Sequence, residues 1–163
     1  MPRAFRPCVR LGFTVLEDRL APALTFQFDY SLDSSGFFSN PEARSALERA
    51  GAQLSSRIAS TPAAITPTAG QSWQAIFTHP NTQDFTQIDN LSVPAGTLIV
   101  FAGGMSSTGP EAGIGGPGGY SVVGSSSWQQ IVATRGLSGF STWGGSIAFD
   151  VSQNWHFDSD ITG

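Results

Sequence analysis

One stretch of the chain constrains this fold more than any other: a short strand that begins with two glycines and is followed by an acidic, aromatic turn. The stretch runs from Gly144 to Asp158 and reads GGSIAFDVSQNWHFD. Its apolar side chains predict a strand over residues 145–151, and glycines at its start tolerate backbone conformations that other residues avoid. We expect this strand to belong to the sheet around which the domain is built.

Hydrophobic periodicity predicts the other elements. Alternating or continuous apolar residues predict four further strands, at 24–30, 72–78, 97–102 and 119–124. Apolar residues at helical spacing predict a helix over 41–59, with Asn40 or Ser39 as its N-cap. Residues 127–134 could form a strand or a short helix, and we favour the helix, capped by Ser126 or Ser127. This order predicts an α/β (α+β) fold: a twisted mixed sheet of about five strands with one long N-terminal crossover helix.

Two segments between these elements are predicted to be loops. Residues 81–90 are polar and irregular, and residues 103–119 are rich in glycine. The glycines at 113, 115 and 118 have the spacing of a dinucleotide-binding loop, but Pro117 interrupts it and a strand rather than a helix follows. A Walker A loop requires lysine, which the chain lacks. We therefore interpret these glycines as conformational and expect no nucleotide site.

The charge distribution separates an arginine-rich start from an acidic body. The 163-residue chain has 8 Arg, no Lys and 12 Asp and Glu, a net charge of −4. Four of the arginines lie in residues 1–19. The acidic body lacks the basic surface that phosphate backbones require, so we expect no nucleic-acid partner. The lone Cys8 excludes an intrachain disulfide, and no apolar run approaches the roughly 20 residues of a transmembrane helix.

Residues 1–23 are predicted to be a leader or sorting segment, and residues 24–163 the folded domain. The apolar stretch of the leader is too interrupted for a secretory signal on physical grounds. Its residues 15–23, VLEDRLAPA, resemble the LEDRL-x-P leader of exported and surface proteins of planctomycete bacteria. The resemblance implies an extracellular or cell-envelope location, and a disordered tail fits the composition equally well.

Three local patterns resemble the metzincin zinc endopeptidases, especially their matrixin-like branch. Gly-Pro-Gly-Gly at 116–119 precedes a short strand, as in the glycine loop and edge strand of matrixins. GSIAFD at 145–150, followed by Trp155, is similar to their G-x-I-x-F-D…W segment. The sequence FDYS at 28–31 and the helix that follows resemble the opening of bacterial members. The resemblance implies a metzincin-like N-terminal sheet subdomain.

The resemblance also implies a substrate site and a metal site. In a chain completed by a zinc subdomain, the edge strand would pair with an extended polypeptide substrate through the backbone of Gly119, Tyr120, Ser121 and Val122. Calcium often binds near the glycine loop and the F-D turn of the family, which makes the Asp150 carboxylate a candidate ligand. The alternative is that Asp150 accepts hydrogen bonds from the amides of the turn after the strand.

The residues that would hold the catalytic zinc are missing from the sequence. The family requires HExxHxxGxxH on a helix, where histidines bind zinc and the glutamate activates water. This chain has only His79 and His156, neither followed by Glu, and Ala148 stands where matrixins place a histidine for a structural zinc. The chain ends at Gly163, where the zinc helix should begin. We therefore expect an inactive N-terminal fragment without catalytic residues, and zinc only in a full-length relative.

A second hypothesis is an exported, non-catalytic binding or structural module. Trp128, Trp143 and Trp155 could form an exposed aromatic surface for carbohydrate or for a protein partner. The alternative for each tryptophan is packing in the core or at its rim.

Overall fold

The computed structural model of this protein describes residues 24–138 and 141–157. The leader predicted at 1–23 lies outside the described residues. Two α-helices, one 3-10 helix and seven strands follow one another in the described part of the chain: β1 (Thr25–Asp29), the 3-10 helix (Phe37–Ser39), α1 (Pro41–Ser55), β2 (Ser72–Thr78), β3 (Phe85–Asp89), β4 (Thr97–Met105), β5 (Gly113–Pro117), β6 (Gly119–Val123), α2 (Ser126–Thr134) and β7 (Gly144–Asp150). This mixture of helices and strands confirms the α+β class predicted from the sequence.

Four strands form a mixed sheet in the order β1-β4-β7-β5. β4 pairs in parallel with β1 on one side and with β7 on the other, as its continuous apolar sequence predicts for a strand covered on both faces. β5 pairs antiparallel with β7 and forms one edge. The connection between the parallel strands β1 and β4 contains α1, β2 and β3.

Three strands form a second, antiparallel sheet in the order β3-β2-β6. Trp73, Ala75 and Phe77 alternate along β2 and share a core with Ile99 and Phe101 of β4. The rings of Phe77 and Phe101 stack with centroids 4.5 Å apart. We call the face of the four-stranded sheet that packs on this core the inner face, and the opposite face the outer face.

The 3-10 helix and α1 pack on the outer face. The Asn40 side chain caps α1 by accepting a 2.8 Å hydrogen bond from the Glu42 amide. Phe37 and Phe38 of the 3-10 helix each lie with their ring centroid 5.6 Å from that of Phe149 in β7. This aromatic cluster covers the carboxyl end of β7.

The arrangement of strands differs from the single sheet of about five strands predicted from the sequence, because the described residues form seven strands in two sheets. β3 lies within 81–90, a segment predicted to be irregular; its alternate residues are exposed at a sheet edge, and its ladder with β2 stabilises it despite their polarity. The predicted loop over 103–119 was also wrong, since β4 continues to Met105 and β5 occupies Gly113–Pro117. Helix α1 ends at Ser55 rather than at residue 59.

Candidate functional site

Two glycine-rich segments meet where β5 lies beside β7. Gly145 of β7 is paired with Pro117 of β5, and a Cβ on Gly145 would overlap the carbonyl oxygen of Gly116. Gly118 is buried against the indole of Trp143, which a Cβ on Gly118 would also overlap. Glycine is required at both positions because the backbones approach so closely. Gly118, one of the glycines that match a nucleotide loop in the sequence, is therefore the residue at which the chain leaves one sheet and enters the other.

Hydrogen bonds at the two ends of β5 determine which of its backbone groups are paired. The Asp150 amide donates to the Ala112 carbonyl, and the Gly118 amide donates to the Gly144 carbonyl, both at 2.8 Å. Residues in an antiparallel ladder alternate between facing the partner strand and facing away from it. The even-numbered residues of this stretch therefore face β7, and the odd-numbered residues face away.

The outward-facing backbone groups of β5 belong to three residues. Gly113 and Gly115 each present an N–H and a C=O group, whereas Pro117 presents only its C=O. All five residues of β5 are exposed, and among the described strands none pairs with this edge. β5 can therefore accept an additional strand.

β6 contains the four residues that the resemblance assigns to substrate binding, Gly119, Tyr120, Ser121 and Val122. The strand lies at the edge of the three-stranded sheet. Tyr120 and Val122 pack against the core, whereas Ser121 is exposed on the opposite face. The four residues thus lie on a sheet edge, next to β5 but in the other sheet.

The alternation of outward-facing backbone groups is shifted by one residue between β5 and β6. In β2, the Trp73 carbonyl accepts a 2.8 Å hydrogen bond from the Asn90 amide on the β3 side. Its ladder partner in β6, Val122, therefore faces away from β2. Outward residues are odd-numbered in β5 and even-numbered in β6, and Gly118 is the extra residue that shifts the pattern, as in a β-bulge. One extended peptide cannot pair with both strands in register.

A groove runs along the outer face beside β5, and we call it the outer groove. Its volume is about 380 Å³, and its apolar side chains are Phe26, Leu98, Val100 and Ile147. All four are half-buried. Gly115 also lines this groove and contributes no side chain, so the groove is open as far as the sheet edge.

A smaller cavity, which we call the inner cavity, lies on the other side of β5. Its volume is about 90 Å³, and it is lined by Thr78, Pro80, Gln83, Ile114–Pro117, Ser146 and Ala148. A Cβ added to Gly116 would meet no atom within 4 Å. The inner cavity therefore also reaches the sheet edge, through the space that a side chain at residue 116 would fill.

The Asp150 carboxylate is bound by the turn that follows β7. Asp150 is 1% exposed and accepts hydrogen bonds from the Gln153 side chain at 3.0 Å, the Ser152 amide at 3.0 Å and hydroxyl at 2.9 Å, and the Ser107 amide at 3.4 Å. The bonds from Gln153 and Ser152 outweigh burial and lower the pKa of Asp150 to about 2. Asp150 therefore accepts the hydrogen bonds from the turn that the sequence analysis gave as one of its two possible roles, and its role as a calcium ligand stays a prediction.

Asp33 holds the turn after β1 against the end of β4, a role that sequence analysis missed. Its Oδ1 accepts hydrogen bonds from the Gly104 amide at 3.0 Å and the Ser35 hydroxyl at 2.7 Å, and its Oδ2 accepts one from the Phe38 amide at 2.7 Å. Burial alone would raise the pKa of this carboxyl, but the bonds from Phe38, Ser35 and Gly104 hold it below its ordinary value. The sequence DSSG predicts a turn, but Gly104 lies 71 residues further along the chain.

Arg135 is a second residue whose role the sequence did not indicate. Its guanidinium is 0% exposed and donates to three backbone carbonyls: Nε to Ala63 at 2.8 Å, Nη1 to Thr97 at 2.6 Å and Nη2 to Pro94 at 2.9 Å. Burial lowers the pKa of Arg135 to about 10. These bonds connect the carboxyl end of α2 to two loops, so the residue stabilises the fold.

Among the described residues, neither histidine belongs to a cluster that could hold a metal ion, and two of the three tryptophans considered for an aromatic surface are buried. Nδ1 of His79 accepts a 3.1 Å hydrogen bond from the Asn81 amide within a turn, and His156 is exposed. Trp128 and Trp143 are only 5% and 1% exposed, so for these two the alternative of packing in the core is confirmed. Among the described residues, no group of three or more His, Cys, Asp or Glu is placed to hold a metal ion.

Comparison with known proteins found no protein-family model, no curated protein and no solved structure that matches this chain. Neither described helix has the length and apolar character needed to cross a bilayer.

Proposed function

We propose that this chain binds an extended polypeptide by strand addition at one of two adjoining edge strands, β5 or β6, as the sheet subdomain of a metzincin-like endopeptidase. The observation that carries the proposal is the outward-facing backbone of Gly113 and Gly115, next to which no described strand is paired. Strand addition satisfies such groups with main-chain hydrogen bonds from the ligand. The sequence resemblance supports a polypeptide as that ligand.

The two strands contribute differently to the proposed edge. β6 contains Gly119–Val122, the residues that the resemblance assigns to substrate, and β5 is the adjoining edge strand of the other sheet. Because the pattern of outward groups shifts at Gly118, a ligand pairs with one strand or the other.

The proposal gives this chain binding without peptide-bond cleavage. Its only histidines are His79 and His156, neither followed by the glutamate that would activate water. A zinc site would come from the helix of a full-length relative, and calcium ligation by Asp150 stays a prediction. Chelator-sensitive cleavage of casein by the purified chain would contradict this part of the proposal.

The proposal also places the protein outside the cell or in its envelope. The support is the leader-like sequence at 15–23. Residues 1–23 fused to a reporter enzyme should direct it out of the cytoplasm of a planctomycete host. A reporter that stays in the cytoplasm would contradict export by this segment.

The binding edge can be tested by amide NMR with unstructured peptides. A ligand that adds to β5 should shift the amide signals of Gly113 and Gly115 and protect both from hydrogen exchange, whereas addition to β6 should affect Tyr120 and Val122. Binding that leaves all four amides unchanged would place the ligand elsewhere.

N-methylated peptides provide a control for the binding mode. A peptide methylated at every amide has no N–H donor on either edge, whereas a peptide methylated at every second amide keeps one unmethylated edge. We expect the fully methylated peptide not to bind and the half-methylated peptide to bind through its unmethylated edge. Equal binding by the fully methylated and the unmethylated peptide would exclude strand addition.

A further inference from the structure

We propose that β5 selects peptides in which bulky apolar and short side chains alternate, with the bulky ones in the outer groove and the short ones in the inner cavity. This inference rests on the proposed function, since it specifies the ligand of the same edge. Successive side chains of an added strand point to opposite faces of the sheet. A ligand on β5 therefore places every second side chain beside the outer groove and the others beside the inner cavity.

The outer groove fits large apolar side chains. Phe26, Leu98, Val100 and Ile147 line it, and its volume is about 380 Å³. Ile147 lies on β7, the strand next to β5, and is half-buried, so a leucine or phenylalanine side chain that reaches over Gly115 would remove further apolar surface of Ile147 from water. Gly115 lies between the groove and the ligand and offers no side chain to obstruct it.

The inner cavity fits short side chains. At about 90 Å³ it is less than a quarter of the volume of the outer groove. Its entrance passes Gly116, where a Cβ would meet nothing within 4 Å. The hydroxyl-bearing residues Thr78 and Ser146 line it, so a serine or threonine of the ligand would find polar neighbours there.

The uncharged linings of both cavities favour an uncharged peptide, and the positions of the cavities favour its binding to β5. None of the residues that line the outer groove or the inner cavity is charged, so a charged ligand side chain would lose hydration without gaining a partner. In β6, by contrast, Tyr120 and Val122 pack against the core. β5 is an exposed strand with a cavity on each of its two faces.

The first experiment compares peptides of identical composition. A fluorescein-labelled peptide of about six residues in which leucine and serine alternate is compared with one that carries the leucines and serines in two blocks. Fluorescence anisotropy should give a dissociation constant about tenfold lower for the alternating peptide, the size of effect expected from one or two misplaced side chains.

A second comparison tests the size of the inner cavity on the unmodified protein. Replacing the serines of the alternating peptide by phenylalanine should weaken binding about tenfold, because neither set of side chains then fits the inner cavity. Replacing the serines by glycine should change binding much less, because glycine has no side chain that could clash with the walls of the inner cavity.

A protein variant tests the assignment to Gly116. Gly116→Val fills the entrance of the inner cavity; because the backbone at residue 116 lies outside the left-handed region and a Cβ there meets no atom, we expect the variant to fold. The variant should bind the leucine–serine peptide about tenfold more weakly and the leucine–glycine peptide nearly unchanged. The matched control is Gln87→Val, which adds a valine to the exposed strand β3 and should not affect either peptide.

Each outcome separates this inference from the proposed function. Equal affinity for alternating and blocked peptides, with Gly113 and Gly115 amides still protected, would overturn the side-chain pattern while strand addition stands. Equal effects of Gly116→Val and Gln87→Val would overturn the inner-cavity assignment. Failure of every peptide to protect the edge amides would overturn both proposals.

Discussion

The indole Nε1 of Trp143 donates a 2.8 Å hydrogen bond to the carbonyl oxygen of Gly119. Trp143 directly precedes β7 of the four-stranded sheet, whereas Gly119 begins β6 of the three-stranded sheet. The same indole packs against Trp73 and Phe77, with ring centroids 6.0 and 5.8 Å away. One buried side chain therefore joins the two sheets at the edge where we place the binding site.

Replacing Gly118 by alanine should destabilise the protein, because the added methyl would overlap the Trp143 indole. We expect the free energy of unfolding to fall by about 1–3 kcal/mol, as for other overpacked sites. Urea unfolding followed by tryptophan fluorescence measures this change. The control is Gly116→Ala, where the same methyl would stand in open space. Equal stabilities for the two variants would show that the protein can accommodate a methyl group between residue 118 and the Trp143 indole.

Arg135→Ala should destabilise the protein more strongly. The substitution leaves the carbonyls of Ala63, Pro94 and Thr97 without their guanidinium donors. Since a buried acceptor left without a partner costs about 1–3 kcal/mol, we expect the free energy of unfolding to fall by about 3 kcal/mol or more. Chemical denaturation of both proteins tests this expectation.

The matched control for Arg135 is Arg57→Ala. Arg57 is exposed at the end of α1, and we expect its loss to change stability by less than about 0.5 kcal/mol. Arg135→Lys should lie close to the alanine variant, because one ammonium group cannot replace the planar fork of three donors. A lysine variant as stable as the original protein would contradict the proposed role of the guanidinium.

Asp150 should make stability depend on pH in the acidic range. Its pKa is about 2 in the folded protein, against an ordinary value of 3.8. The lowered pKa means that the unfolded chain binds the proton more tightly, so this stabilisation is present above about pH 4 and is lost as the pH falls toward 2. Urea midpoints should therefore fall over this range in the original protein and fall less in Asp150→Asn.

Asp33 has a pKa shifted in the same direction, so Asp150→Asn should retain part of the acid dependence. The double variant Asp33→Asn, Asp150→Asn should retain less than either single variant. An acid dependence identical in all four proteins would show that these carboxylates do not contribute to it.

Tyr30 should ionise at unusually high pH. Burial and the neighbouring Glu48 raise the pKa of its phenol to about 12, although Arg44 opposes them. The phenol donates a 3.3 Å hydrogen bond to Glu48, and the Arg44 guanidinium lies 4.4 Å from the ring centroid. Absorbance titration of Tyr120→Phe, which leaves Tyr30 as the only tyrosine, should show this value, and Glu48→Gln should lower it.

The shift of Tyr30 also has a consequence for stability. Because the folded protein holds the phenolic proton more tightly than the unfolded chain does, the stabilisation is complete below about pH 10 and is lost as the pH rises toward 12. Glu48→Gln should reduce this alkaline loss. If Glu48→Gln leaves the phenol titration unchanged, Glu48 does not govern the shift.

Local sequence patterns predicted those helices and strands in which buried and exposed residues recur with the period of a helix or a strand. β2 extends over Ser72–Thr78, as predicted, because its alternating side chains face one core. Asn40 caps α1, one of the two residues considered, because its side chain reaches the Glu42 amide. β5 was missed because glycine carries no periodic signal, and its stability depends on a ladder with residues 145–149, which are distant in sequence.

The candidate site was predicted only in part, for the same reason. Gly119–Val122 lie on a sheet edge, but the cavities beside β5 arise from residues of β1, β2, β4 and β7 that only the tertiary fold brings together. Nothing in the sequence around Arg135 marks this arginine as buried, and its three acceptors lie 38 to 72 residues away. Long-range contacts of this kind have no local sequence signature.

The one-residue shift of the outward-facing groups at Gly118 also bears on self-association of the protein. Exposed sheet edges allow identical molecules to stack into fibrils, and proteins often block them with charged side chains. β5 has no charged residue; instead, Pro117 removes one donor and the step at Gly118 ends the register after Gly113 and Gly115. A short guest strand can therefore pair with β5, whereas a longer strand cannot continue in register from β5 onto β6.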